Sequence, residues 1–215
     1  MPILEKNGHQ ILFAHIPKSG GTSIYLAFAA AGWRIINLSQ WSDPRSTWCA
    51  LRRQFGIDGI EQRGLRIAKL APPQHMPAIV WRTWGHFDES FTVVRHPVGR
   101  LESALAYHHR IGRHTEPLTS FASRILLEAD QRILGTWRTL GGHLIAQRHF
   151  LAATTRVFYF EHDWARELCD RYGLDYRQFP HANANDARPR DFLTAEQLDW
   201  ARRTYRKDYI RFGYK

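Results

Sequence analysis

The chain has few cysteines, and the two it carries, Cys49 and Cys169, stand far apart in its 215 residues. That spacing suits neither a zinc site nor a disulfide framework, so both are expected as free thiols. Nowhere does an apolar stretch approach the roughly 20 residues a membrane-spanning helix needs. The opening Met-Pro-Ile-Leu-Glu-Lys has no signal-peptide core, and a cytoplasmic protein is expected. Linkers, internal repeats and low-complexity tracts are missing too, which leaves one domain over residues 1–215 with enough chain to bury a substantial core. Acidic residues are in short supply, 20 against 30 Lys and Arg, for a net charge of +10. Such an excess draws anions: a nucleotide, an acidic glycan or a nucleic acid. The basic residues are scattered rather than massed, as Arg52-Arg53, Arg110 and Arg113, Arg188 and Arg190, and Arg202-Arg203. Several of these pairs read simply as solvated helix faces.

What is present is an anion cradle. In Ile11-Leu-Phe-Ala-His-Ile-Pro-Lys-Ser-Gly-Gly-Thr-Ser-Ile24 an apolar strand runs into a glycine-bearing loop with one lysine and then two hydroxyl residues. Gly20 and Gly21 let the backbone turn N–H groups inward, and Thr22 and Ser23 open a helix whose positive dipole end faces the loop. The Walker A pattern does not fit. Lys18 precedes Gly20 and Gly21, and Ile16 stands where that pattern needs its first glycine.

A second element is Phe91-Thr-Val-Val-Arg-His-Pro-Val-Gly-Arg-Leu-Glu-Ser103, a β-branched apolar run ended by Arg95, with Pro97 at the start of a helix. An arginine closing a buried strand needs a partner. Ser103 follows it eight residues later, within the first turns of that helix.

The string His15-Ile-Pro-Lys-Ser-Gly-Gly-Thr-Ser23 closely resembles the 5′-phosphosulfate loop of sulfotransferases that use 3′-phosphoadenosine-5′-phosphosulfate (PAPS), in the version of carbohydrate, heparan 2-O-sulfotransferase-like and bacterial members. The second element resembles that family's 3′-phosphate site, which has arginine at the strand end, proline two residues on and serine eight residues after the arginine. The resemblance implies a single-domain α/β fold, a parallel sheet flanked by helices in the P-loop-like sulfotransferase manner. It implies sulfuryl transfer from PAPS to a hydroxyl, expected on a glycan or glycolipid, with the bisphosphate PAP as product and no metal required. Lys18, Ser19, Gly20, Gly21, Thr22, Ser23, Arg95 and Ser103 would bind the nucleotide, and Lys18 would also stabilise charge on the leaving phosphate. Nucleic acid is not expected as a partner. A nucleotide-dependent kinase and a non-catalytic polyanion binder are the alternatives; a second strand ending in Arg95 rather than a metal-binding aspartate counts against the kinase.

The reaction needs a base for the acceptor hydroxyl. Two histidines compete, His75 in Ala71-Pro-Pro-Gln-His75 and His86 in Trp84-Gly-His-Phe87. Pro-Pro-Gln-His resembles an element of bacterial family members, and its place twenty residues before Arg95 is about where glycan sulfotransferases carry their catalytic histidine, so His75 is favoured. His15 is expected to orient the loop. The closing Asp208-Tyr-Ile-Arg-Phe-Gly-Tyr214 resembles the family's C-terminal string, whose role is largely structural, and the basic stretch His181 to Arg190 matches one that lies over the nucleotide. The acceptor-shaping residues are expected in the unmatched regions Trp41 to Leu70 and Arg110 to Thr139.

Local pattern gives alternating elements. Strands are expected near 10–15, 34–38, 91–94 and 156–160, and helices over 22–31, 47–55, 76–84, 97–110, 119–128, 130–140, 143–153 and 163–172, with a last helix behind Thr194-Ala-Glu-Gln.

Overall fold

A computed structural model describes residues 2–37, 75, 77–81, 87–132, 135–180, 182 and 191–215. The expected helix over 47–55, His86, Cys49, and residues 181 and 183–190 of the basic stretch lie outside them. The elements in chain order are β1 (Pro2–Lys6), β2 (His9–Phe13), α1 (Gly21–Ala30), β3 (Arg34–Asn37), α2 (Ala78–Trp81), β4 (Glu89–Val94), α3 (Pro97–Ile111), α4 (Leu118–Gln131), α5 (Gly135–Arg138), β5 (Arg156–Tyr159), α6 (Trp164–Tyr172), α7 (Ala195–Thr204) and α8 (Arg206–Phe212).

The fold is α/β, built on a five-stranded sheet in the order β3-β1-β2-β4-β5. The sheet is mixed, which corrects the expectation of a parallel one. β2, β4 and β5 run parallel, but β1 lies antiparallel to both β2 and β3. The cause is local. Asn7 and Gly8 both take positive φ, 53° and 79°, the geometry of a two-residue hairpin turn whose twist matches that of its strands. The turn folds β1 back beside β2, pairing Ile3 with Leu12 and Lys6 with His9.

Alternation along the strands divides the core between two faces. Ile11 and Phe13 of β2 join Phe91 and Val93 of β4 against Ile24 and Phe28 of α1 and Leu168 of α6. Leu12, Ala14 and Val94 face the other way, onto Trp81, Ile145, Phe150 and Phe212. Phe13 and Phe91 stack at 5.0 Å between ring centroids, a contact worth about 1 kcal/mol beyond the area it buries. A third cluster, including Leu105, Phe121, Trp200 and Tyr205, joins α3, α4 and α7.

The helices expected over 130–140 and 143–153 do not form as such. α4 continues to Gln131, α5 is a single turn, and residues 147–150 form a 3₁₀ turn. Leu140, Gly141 and Gly142 all take positive φ, which no right-handed helix tolerates. Buried side chains then bind backbone groups of 143–148 that a helix would pair internally. At the C-terminal end Thr194 forms the full capping box with Gln197. The helix behind it is interrupted at Tyr205, so that α7 and α8 are separate pieces. Gly173 closes α6 in the left-handed conformation, as its position suggests. Asp163 stands at the N-cap of α6 without making a side-chain cap bond.

Candidate anion-binding site

The parallel trio β2, β4 and β5 ends on one edge, and a cavity of about 500 Å³ opens beyond it. This is where an open α/β sheet gathers ligands, because strand ends and helix N-termini converge there. Three chain segments supply most of its lining. The loop after β2 contributes Lys18, Gly20, Gly21, Thr22 and Ser23, β4 and α3 contribute Arg95, Ser103, Tyr107 and Arg110, and β5 and α6 contribute Phe160 and Trp164. His15, Tyr25, His75 and His143 complete the polar wall. Every sequence-predicted residue that is described, except the buried Ser19, thus borders one space.

Steric fit fixes the loop. Gly20 is the N-cap of α1 with φ 85°, and a Cβ there would stand 2.9 Å from the Trp164 indole. A Cβ on Gly21 would fall into the His15 ring, well under 3.0 Å from Nε2. His15 is held in turn: it stacks on Phe13 and shares a 3.0 Å hydrogen bond between its Nδ1 and the Tyr25 hydroxyl. Lys18 takes φ 68°, a left-handed backbone that costs a non-glycine residue about 1 kcal/mol or more. Two contacts secure it. Its carbonyl accepts a 3.2 Å hydrogen bond from Arg95 Nη1, and its Nζ lies 3.9 Å above the centre of the Tyr107 ring. The Ser19 hydroxyl is buried and has no hydrogen-bond partner among the described residues, at a cost of about 1–3 kcal/mol until something accepts from it.

Arg95 is fixed through its backbone. Its N–H donates to Gln147 Oε1 at 2.9 Å, and Gln147 Nε2 donates back to the Arg95 carbonyl at 2.7 Å. Gln147 is fully buried, and its own N–H donates to Asp208 Oδ2 at 2.7 Å. Asp208 also accepts from the Arg148 N–H at 3.1 Å and from its guanidinium at 3.3 Å. The C-terminal helix therefore braces the strand end that presents Arg95. The guanidinium lies 4.6 Å over the Phe160 ring, where a planar cation and an aromatic face attract.

His75 is 4% exposed and stands beside two other imidazoles, tilted against His15 at 4.7 Å and T-shaped with His143 at 5.1 Å between centroids. Its ring hydrogen-bonds the His15 backbone. Burial, then the neighbouring His15 and His143, hold it well below the ordinary imidazole pKa. Burial likewise takes His15 down to about 3, His143 to about 2 and His108 to about 4, with Lys18 adding to each. At neutral pH these rings are uncharged, with lone pairs available to accept protons.

Sequence reasoning missed several of these lining residues. Tyr107 follows Ser103 at helical spacing on α3, a signal that was there to read, and Arg110, where the expected acceptor-shaping region begins, continues that spacing. Phe160 and Trp164 follow the third parallel strand as Lys18 follows the first. His143 sits in an irregular turn and carried no signal at all. Of the basic stretch, Ala182 is described, and its N–H donates to Ser23 Oγ at 3.1 Å. Cys169 is buried as a free thiol, with burial raising its pKa to about 11. No helix among the described residues is long and apolar enough to cross a membrane.

No family model, no curated protein and no solved structure matches the chain.

Proposed function

We propose that the protein is a PAPS-dependent sulfotransferase of P-loop-like fold, moving a sulfuryl group to a hydroxyl on a glycan or glycolipid. The observation that carries this reading is the hydrogen bond from Arg95 Nη1 to the Lys18 carbonyl. It ties together, across one cavity, two motifs lying 77 residues apart that were each read as holding one end of the same nucleotide. The helix N-terminus at Gly20 and Gly21 supplies donors to a 5′-phosphosulfate. Arg95 and Ser103 suit a 3′-phosphate. Phe160 and Trp164, stacked at 20°, offer an apolar wall for a purine.

In this reading Lys18 neutralises charge as it gathers on the leaving phosphate, and His75 takes the acceptor proton. Burial makes His75 a weaker base than its family role suggests. The several negative charges of PAPS oppose that effect, because an anion beside an imidazole favours its protonated form. Lys18 leaves Tyr107 to reach the phosphate, a short swing for a flexible stem.

Calorimetric titration with PAP, ATP and short oligonucleotides, each with and without Mg²⁺, tests the assignment. PAP should bind most tightly and without the metal, since Lys18, the loop amides and Arg95 supply the countercharge. Binding of ATP with Mg²⁺ and not of PAP would make the protein a phosphotransferase, and oligonucleotide binding alone would make it a polyanion binder.

A further inference from the structure

Three imidazoles line the cavity, and sequence context gave a catalytic role to His75 alone. His143 belongs to no motif, yet its turn is bound with unusual thoroughness. Arg100 Nη1 donates to the His143 carbonyl at 2.9 Å and Nη2 to the Ile145 carbonyl at 2.8 Å, while the Tyr205 hydroxyl donates to the Leu144 carbonyl between them at 3.0 Å. Arg100 is 1% exposed and Tyr205 not at all. Burying a guanidinium costs several kcal/mol, a strong commitment to one geometry for a three-residue turn. The side chain so presented is also engaged. His143 Nδ1 shares a 2.9 Å hydrogen bond with His108 Nε2, and the ring lies at 28° against Tyr107 and at 85° to His75.

We propose that His143 is a second acid–base group of the cavity, held in one tautomer by His108 and sharing with His75 the proton that the acceptor hydroxyl gives up. This rests on the sulfotransferase reading. With Nδ1 occupied by His108, Nε2 is the nitrogen left for the reacting groups. In the transfer the acceptor O–H bond breaks and its proton goes to an imidazole nitrogen. The freed oxygen pair forms the new O–S bond. The bond from sulfur to the bridging phosphate oxygen breaks, and its electron pair leaves on the phosphate of PAP. His108 acts only through His143 and is a positioning residue.

The charged and titratable groups around His143 are His15 and His75 from one side, Lys18 from the loop, and Arg100, Tyr107, His108 and Arg110 from α3. Burial, with the cations among them, keeps the pair neutral. Imidazoles this close admit one proton among them, because a second would meet the charge of the first.

Long-range ¹H–¹⁵N spectra of the full chain labelled at histidine read the tautomer and protonation of each ring without an acceptor. His143 should show a single tautomer from about pH 5 to 8. His108→Phe should mix the tautomers, and His108→Gln, whose amide can take the place of Nε2, should restore one. Saturating PAP should shift the His143 nitrogens and raise their titration midpoint. His143→Asn keeps a polar partner for His108 but lacks Nε2. It should bind PAP within about threefold of the native protein and release PAP from PAPS at least about tenfold more slowly.

A tautomer indifferent to His108→Phe, or native PAP release by His143→Asn, would overturn the proposal. Failure of PAP to bind the native protein would remove the sulfotransferase reading and this role with it, whereas PAP bound beside an unresponsive His143 removes the role alone.

Discussion

Gly21 and His15 occupy each other's space: the imidazole stands where a side chain on Gly21 would be. The glycine pair is therefore set by two demands, a left-handed turn at Gly20 and the close approach of a ring at Gly21. Gly21→Ala must push His15 off Phe13 and away from Tyr25. Overpacking of this kind costs about 1–3 kcal/mol, a fall in Tm of several degrees for a chain of this size. Differential scanning calorimetry should show that fall, and PAP affinity should drop with it, because the displaced ring disturbs the amides at the start of α1.

Arg95 should report on one end of the nucleotide. Arg95→Ala is expected to weaken PAP by about 10- to 100-fold, the range of a charge-assisted hydrogen-bonded contact. Adenosine 5′-phosphosulfate, which lacks the 3′-phosphate, should lose far less. Equal losses in a titration of both ligands would take Arg95 out of that site.

Lys18 should divide binding from turnover. If it stabilises charge on the leaving phosphate, Lys18→Ala lowers PAPS turnover by about 10²-fold or more. PAP, still held by Arg95, Ser103 and the loop amides, should bind only moderately less well. Steady-state rates beside calorimetry separate the two effects, and near-normal turnover would leave Lys18 as a binding residue only.

The local structure of both motifs was legible because each couples a strand end to residues within a few positions, so local order alone brings their side chains together. Lys18 to Ser23 and Arg95 to Ser103 needed only β2, β4 and their following helices to form. The capping box at Thr194 and the left-handed Gly173 were readable for the same reason. What escaped depended on partners distant in sequence. β1 exists because Asn7-Gly8 folds it onto β2, and overlooking that short turn made a mixed sheet look parallel. The 143–150 segment carries helical residues, but its backbone groups go to Arg100, Tyr205 and Asp208, none of them a local neighbour. The cluster of His15, His75, His108 and His143 likewise draws on four separate segments.

Those histidines make stability depend on pH in a stated direction. His15, His143 and His108 have folded-state pKa values of about 3, 2 and 4, all below the ordinary 6.5 of an unfolded chain. Below pH 6.5 the unfolded state binds protons that the folded state refuses, so stability is full above that value and is lost as pH falls towards about 4 and below. Each such group contributes a slope of at most about 1.4 kcal/mol per pH unit, reduced where solvent reaches the ring. Urea unfolding from pH 7 to 4 should show this decline, and His108→Gln should flatten it. A decline unchanged in that variant would place the acid sensitivity elsewhere.

The assignment of the general base turns on His75. It is buried and borders the same cavity as Lys18 and Arg95, which is where the proposed reaction would need its base. Its neutral form is already the one that accepts a proton, and a nearby anionic nucleotide raises its basicity just when the donor is bound. His75→Ala should therefore reduce sulfuryl transfer by about 10²-fold or more while PAP affinity stays near native. His86→Ala should keep most activity. The reverse pattern in the two variants would give the role to His86. Full activity in both, with a confirmed acceptor, would move the base to a carboxylate, since the reaction still has a proton to place.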